Sequence, residues 1–243
     1  MTVASQITVV VLAGGKGTRL KGLYPDTPKP MIPVAGKPFL HWITRWIALH
    51  GPQHFVYSTG HLSQQVEEWA ADASMPDLKR ECVREDVPLG TGGGLMNCID
   101  RCGEWTMVVN GDGLVMRGMA QLLALADAPG DGGLLGVEVD DTSRYGSLES
   151  DADGRLTGFR EKVPGRGLIN GGIYLLRTEL LRALYRPGNL SIETDLFPEM
   201  LAAGANLRVI GAGEAPFIDI GTPETISQAE AFVHEHLGQA QPD

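Results

Sequence analysis

The chain lacks most of the signals that would place it quickly. Its 243 residues include only three cysteines, Cys82, Cys98 and Cys102, with no C-x-x-C spacing. Cys98 and Cys102 can share a helix face, but two thiols alone make a poor zinc site, so they read as reduced packing residues. No excess of basic charge is present. The formal net charge is -10 and the pI about 5.0, which argues against a general nucleic-acid binder and against an anionic membrane surface. A few local cations would still suffice to hold a small phosphorylated substrate. No long apolar run occurs. The run at residues 7–13 is too short to span a bilayer, and the N-terminus has neither a basic region nor a small-residue cleavage site. The expectation is a cytoplasmic protein. Repeats, linkers and low-complexity blocks are also missing, and so is any Ser-His-Asp or Cys-His arrangement.

Hydrophobic residues make up 43% of the chain, enough for one sizeable core. Residues 7–13 form an almost continuous β-branched apolar run that ends at glycine, the pattern of a strand buried on both faces. Beyond it, strand-like and helix-like segments alternate: helix 38–49, strand 54–58, helix 62–71, strand 78–84, helix 94–102 behind a glycine loop, strand 105–110, helix 119–126 and strand 133–139. Residues 145–159 read as short strands and turns, with Asp153-Gly154 as a hairpin signal. Strand 168–176, helices 179–185 and 195–203, strand 217–220 and helix 223–236 complete the pattern. This alternation predicts an α/β fold: a Rossmann-like three-layer domain with a mixed, mostly parallel central sheet and a small inserted β region. One domain over residues 1–243 is expected, in two halves that meet at about residues 115–116.

The first strand runs into VVVLAGGKGTRL at residues 9–20, followed by Pro28-Lys29-Pro30. A P-loop would need Gly-Lys five residues after its first glycine, and the dinucleotide fingerprint G-x-G-x-x-G would need glycine where Leu20 stands. Both patterns fail, and the second failure removes NAD-dependent dehydrogenases. The physics survives the failed motifs. Consecutive glycines let backbone N–H groups approach an anion. Arg19 offers a fork for phosphate oxygens, and Lys29 a compact charge stiffened by two prolines. The alternative is a tight strand-to-helix turn with solvated cations.

Two carboxylates stand out near strand ends. Asp112 follows a strand between glycines, and Asp219 lies between isoleucines ahead of Gly221. Strand C-termini are where α/β sheets bind ligands, and Mg²⁺ takes one or two carboxylates plus phosphate oxygens and water. A turn-forming Asp-Gly and an exposed hairpin acid are the plainer readings.

The run 12–20 with residues 27–31 (TPKPM) resembles the signature of the sugar-1-phosphate nucleotidyltransferases. Further segments resemble that family in order: EDVPLGTGGG at 85–94, VNGDG at 109–113, FREK at 159–162 with GLINGGIYLL at 167–176, and FIDIGTPE at 217–224. Lys-Pro-Met-Ile-Pro-Val, Lys-Pro-Phe-Leu, Arg-Tyr-Gly and the short GLINGGIYLL run are similar to the D-glycero-α-D-manno-heptose 1-phosphate guanylyltransferases. The resemblance implies transfer of GMP from GTP to that heptose 1-phosphate, giving GDP-heptose and pyrophosphate for cell-surface polysaccharide or glycoprotein synthesis. Mannose 1-phosphate, or N-acetylmuramate 1-phosphate with UTP, stays open as substrate, and a non-catalytic regulatory subunit is the rival of another class. No nucleic-acid or membrane partner is implied, and a homo-oligomer stays open.

The resemblance also implies roles. Arg19 and Lys29 would be catalytic. Leu12, Ala13, Gly14, Gly15, Gly17, Thr18, Glu85, Gly90, Thr91, Gly92 and Asn110 would bind the nucleotide. Gly146, Glu161, Lys162, Asn170 and Gly171 would hold the sugar and its phosphate. Asp112 and Asp219 would ligate Mg²⁺. Chemistry agrees for Glu85, since a carboxylate can accept from N1–H and N2–H₂ of guanine together, whereas uracil offers one N–H. Its neighbour Asp86 competes for the role, and a solvated acid is the alternative. Glu161-Lys162 could equally be a solvated charge pair. Residues 191–195 (SIETD) resemble a helix start and read first as capping. Gly113 stands where similar enzymes carry a small polar residue.

Overall fold

A computed structural model describes residues 6–15, 20, 22–73, 75–143, 145–160 and 164–238. Strand β1 (Ile7–Leu12) leads through a 3₁₀ turn at Lys29–Met31 to the small hairpin β2 (Pro33–Val34) and β3 (Lys37–Pro38). Then come α1 (Phe39–Leu49), β4 (His54–Thr59), α2 (Ser63–Ala71), β5 (Lys79–Arg84), α3 (Gly90–Asn97) and β6 (Trp105–Asn110). The second half holds β7 (Gly113–Val115), α4 (Met119–Leu123), β8 (Gly132–Val139), β9 (Ser147–Ser150), β10 (Leu156–Arg160) and β11 (Gly167–Arg177). It closes with α5 (Thr178–Ala183), α6 (Phe197–Ala202), β12 (Leu207–Gly211), β13 (Phe217–Asp219) and α7 (Pro223–His236).

The central sheet has nine strands in the order β10-β9-β11-β6-β1-β4-β5, with β8 along β11 and β12 along β8. β1 pairs in parallel with both β4 and β6, and β5 extends the parallel set. β11 runs antiparallel to β6, β8 and β9, and β10 antiparallel to β9. Of the nine strands, β10 and β11 therefore run against the other seven, so the sheet is mixed and mostly parallel by direction. The hairpin β9–β10 is the inserted β region. It joins the same sheet because β11 breaks register between Asn170 and Tyr174: its first half meets β9 and its second half β6.

The valines of β1 explain the layering. Val9 and Val11 pack with Phe39, Ile43, Val66, Met119 and Val233, from α1, α2, α4 and α7. Val10 faces the other way, with Leu95, Leu181, Phe197 and Met200 from α3, α5 and α6. A strand covered on both faces needs apolar residues at successive positions, hence the run read in the sequence. Two apolar cores sandwich one sheet. Burial raises the thiols of Cys98 and Cys82, to about 12 and about 11, as expected of unreactive packing residues.

Two boundaries depart from the sequence reading. The third helix starts at Gly90 rather than 94 and ends at Asn97, with a 3₁₀ turn at Ile99–Arg101. Residues 192–196 form a π turn ahead of α6, capped by the Ser191 hydroxyl accepting from Thr194 N–H at 3.2 Å. The capping expectation for this segment thus holds. Strands β7 and β12 were not anticipated.

Candidate active site

β1 has β4 on one side and β6 on the other, so the chain turns in opposite directions from its C-terminal end. α/β sheets open a crevice at such a point. Leu12, Ser58 and Asn110 lie level there, in register across the three strands. Above them is a cavity of about 370 Å³ lined by Leu12, Gly14, Gly15, Lys29, Glu85, Pro88, Gly90, Thr91, Asn110, Asp112 and Asn189, among others.

At one end is Glu85, just beyond β5. Its Oε1 accepts from the buried Ser58 hydroxyl at 2.9 Å and its Oε2 from Leu89 N–H at 3.1 Å. Glycines make room for it. A Cβ on Gly14 would stand 2.9 Å from Oε1, and one on Gly94 2.7 Å from it. Asp86 is exposed and does not line this cavity. Of the two competing acids, Glu85 is thus the one that faces the cavity.

At the other end the 3₁₀ turn holds Lys29 between Pro28 and the buried Pro30. Lys29 Nζ reaches Asp112 Oδ2 at 2.5 Å, with the lysine side chain 18% and the aspartate 41% exposed. β7 begins immediately after Asp112, and its Gly113 faces Asp219 in β13. Ile220 N–H donates to Asp112 O at 2.9 Å, locking the two segments together. Asp219 Oδ1 accepts from Gly221 N–H at 2.9 Å and Oδ2 from the Tyr145 hydroxyl at 2.5 Å. A Cβ on Gly221 would lie 2.5 Å from Asp219 Oδ1 and 3.7 Å from Lys29 Nζ, so both aspartates converge on the lysine. α7 starts just beyond, at Pro223 with Thr222 as its cap, and its N-terminal dipole favours negative charge nearby.

This chemistry fits a hard divalent cation: two carboxylates, of which Asp112 is well exposed and lines a cavity large enough for phosphates, while Asp219 lines the adjoining cavity against α7. Among the described residues no cluster of three His, Cys, Asp or Glu side chains forms a closed protein cage.

A second cavity, about 860 Å³, lies between the β9–β10 hairpin and α6. Tyr145, Gly146, Phe159, Arg160, Asn170, Glu193 and Thr194 are among its walls. Asn170 is committed internally: its Oδ1 accepts from Gly172 N–H at 2.9 Å, and its Nδ2 donates to Tyr174 Oη at 2.8 Å. Tyr174 donates to Glu193 Oε1 at 3.0 Å, and the Ser191 hydroxyl to Oε2 at 3.1 Å. Burial, then the adjacent Glu193 carboxylate, raises the Tyr174 phenol well above its usual range, so it stays a neutral donor.

The expected residues therefore divide. Leu12, Gly14, Gly15, Lys29, Glu85, Gly90, Thr91, Asn110 and Asp112 gather round the first cavity, and Gly146 and Asn170 line the second. Ala13, Gly92 and Gly171 are buried behind the walls. Gly17, Thr18, Arg19, Glu161 and Lys162 lie outside the described residues. The glycines of residues 90–93 also meet a structural need. A Cβ on Gly90 would stand 2.5 Å from Leu190 O and one on Gly93 2.3 Å from Gly188 O, so their lost side chains admit a crossing segment of chain. Asn189 lines the first cavity although it lies in none of the motifs. Asn189 arrives from about a hundred residues away, where its Nδ2 donates to Pro88 O. Ser58 and Tyr145 each hold one of the acids by a hydrogen bond, to Glu85 and to Asp219.

The chain belongs to the nucleotidyl transferase family, whose model matches residues 8–236. That family is one of enzymes. Among relatives, it is 36% identical over 93% of its length to mannose-1-phosphate guanylyltransferase of Mycobacterium tuberculosis, spanning 64% of that protein. It is 30% identical over 88% of its length to D-glycero-alpha-D-manno-heptose 1-phosphate guanylyltransferase of Campylobacter jejuni, spanning 95% of it. The crystal structure of HddC from Yersinia pseudotuberculosis complexed with GMP-PN superposes with a TM-score of 0.80 at 33% identity, covering 92% of this chain and 98% of that one. No helix among the described residues is long and apolar enough to cross a membrane.

Proposed function

We propose that this protein transfers GMP from GTP to a sugar 1-phosphate, D-glycero-α-D-manno-heptose 1-phosphate before others, releasing pyrophosphate. The observation that carries the reading is a cavity lined by the fixed Glu85 carboxylate and by the Lys29–Asp112 pair, with Asp219 approaching the same lysine from the adjoining cavity. Guanine-using relatives of both sugar types support the same chemistry. Mannose 1-phosphate is the second reading, favoured by the 36% identical relative.

The nucleophile is an already ionised phosphate oxygen, so no general base is needed. The task is alignment and charge neutralisation between groups that repel. Glu85 accepts from the guanine edge, its two oxygens pre-aimed by Ser58 and Leu89 N–H. The backbone from Gly14 to Thr18 and the Arg19 fork hold the leaving pyrophosphate, and Lys29 meets the charge that develops at the α-phosphate. Lys162 steers the sugar phosphate, while Glu161, Asn170, Gly146 and Gly171 hold the sugar itself. Asp112 and Asp219 would ligate Mg²⁺, which would supply positive charge to offset the repulsion between phosphates. Residues to about 115 then serve the nucleotide and those from about 116 the sugar phosphate, within one domain and in the cytoplasm.

A pyrophosphate-release screen of the common NTPs against heptose, mannose, glucose and N-acetylmuramate 1-phosphates tests this. Release with GTP and a manno-configured sugar is expected. Release with UTP but not GTP would overturn the base reading, and none with any pair would overturn the catalytic one.

A further inference from the structure

Tyr145 occupies an unusual position in the site. Its ring stands between two cavities, the 860 Å³ one beside β9 and β10 and another of about 420 Å³ against α7, lined by Phe217, Phe232 and Gln228 among others. One ring thus separates two open volumes. The ring packs against the edge of the apolar core, and among the contacts that orient it are the edge of Phe217, with ring centroids 5.9 Å apart at 73°, and the hydroxyl bond to Asp219 Oδ2 at 2.5 Å. Its backbone is held by the turn from Thr142, whose carbonyl accepts Tyr145 N–H.

Seen from Asp219, both oxygens are steered from different sides. Gly221 N–H holds Oδ1 within the same segment, and Tyr145 holds Oδ2 from a loop 74 residues earlier. Outer partners of this kind fix the orientation of a ligating carboxylate, and losing one typically weakens metal binding ~10–100-fold. The partner here is also a wall of the neighbouring cavity, with Gly146 next to it.

We propose that Tyr145 is a positioning residue joining the two cavities: its phenol aims the Asp219 carboxylate for a divalent cation, and its ring shapes the wall where the sugar 1-phosphate sits. The inference rests on the metal-dependent reading of the site given above. It implies that one hydroxyl affects cation affinity and sugar-phosphate affinity together, leaving the GTP contacts at Glu85 aside.

The test is Mn²⁺ binding, read from the free-ion EPR signal in titrations of the nucleotide-free protein. Three proteins are compared: unaltered, Tyr145→Phe and Asp219→Asn, each checked by thermal melting. Tyr145→Phe keeps the ring and removes one oxygen. We expect about tenfold weaker Mn²⁺ binding with an unchanged melting temperature, and a larger rise in KM for sugar 1-phosphate than for GTP. Mn²⁺ affinity equal to that of the unaltered protein in Tyr145→Phe, with loss in Asp219→Asn, would overturn the role of Tyr145 alone. Equal affinity in Asp219→Asn would overturn the metal reading beneath it.

Discussion

The two ends of the first cavity treat carboxylates in opposite ways. Glu85 is held by neutral donors, the Ser58 hydroxyl and Leu89 N–H, one on each oxygen, with glycines at 14 and 94 closing round it. Asp112 is faced by a full cation, Lys29, and keeps 41% of its side chain open to solvent. Fixed neutral donors set the direction of the Glu85 carboxylate, which would suit discrimination between bases. On the proposed reading, incoming phosphates compete for the lysine and free the exposed carboxylate. That reading implies a division: selectivity where the carboxylate is held by fixed donors, turnover where it can change partner.

The sharpest way to break the contrast is at the exposed end. Lys29→Ala should lower pyrophosphate release by at least ~10²–10³-fold, the usual cost of one electrostatic contact to a transition state. The fold should survive, since Lys29 sits at the cavity wall and its neighbour Pro30 carries the buried contact. Near-normal release by this variant would remove Lys29 from the chemistry and undo the proposed division.

The other end should break differently. Glu85→Gln replaces an acceptor oxygen by a donor, which guanine N1–H and N2–H₂ cannot use. Loss of hydrogen bonds to a charged partner is worth about 1.5–3 kcal/mol, or roughly ten- to a hundredfold in the GTP-to-UTP ratio of kcat/KM. The change should appear in base preference and spare the rate with the best nucleotide far more than Lys29→Ala does. An unchanged nucleotide panel would show that Glu85 is a structural acid under Gly14.

Between the two ends lies the wall where residues 188–190 cross the start of α3, and here the sequence was least readable. The parallel strands and α7 were legible because each carries its own pattern: valines at consecutive positions in β1, Thr222-Pro223 at the start of α7. Lys29 stands out between two prolines and Asp112 between two glycines at a strand end, whereas Glu85 is pointed to by the family resemblance of residues 85–94. The glycines at 90–93 looked like ligand space, and Leu190 O and Gly188 O also come close there. Asn189, Glu193 and the partner choice of Tyr145 depend on contacts spanning many tens of residues, which no local spacing encodes. Helix α3 was misplaced for the same reason. Gly92 and Gly93 donate their N–H groups to Leu190 O, a tertiary contact that anchors the first turn where propensity alone argues against helix.

Gly93→Ala tests that account. The added methyl would meet Gly188 O at 2.3 Å and Leu89 Cβ at 2.8 Å, so backbone must shift. Overpacking of this kind costs about 1–3 kcal/mol, which for a chain of this size lowers Tm by roughly 2–4 °C per kcal/mol. Asn189, displaced from the cavity wall, should raise KM for GTP as well. A melting temperature and KM like those of the unaltered protein would mean the crossing segment yields freely and is no fixed part of the cavity.

The smallest expected effect sharpens the comparison most. Ser58 is 1% exposed, beneath the cavity floor, and its hydroxyl donates to Glu85 Oε1. Ser58→Ala removes that donor while Leu89 N–H keeps Oε2 in place. A net loss of about 1 kcal/mol corresponds to roughly a fivefold weaker preference for GTP over UTP. Mn²⁺ affinity should not move, because Asp112 and Asp219 lie at the opposite end and share no partner with Ser58 among the described residues. Distant sites without shared partners behave additively, so Ser58→Ala combined with Tyr145→Phe should show the two losses side by side, one in base preference and one in cation affinity. A Ser58→Ala protein that loses Mn²⁺ affinity would show the two ends to be one coupled network, and the separation of selectivity from turnover would fail.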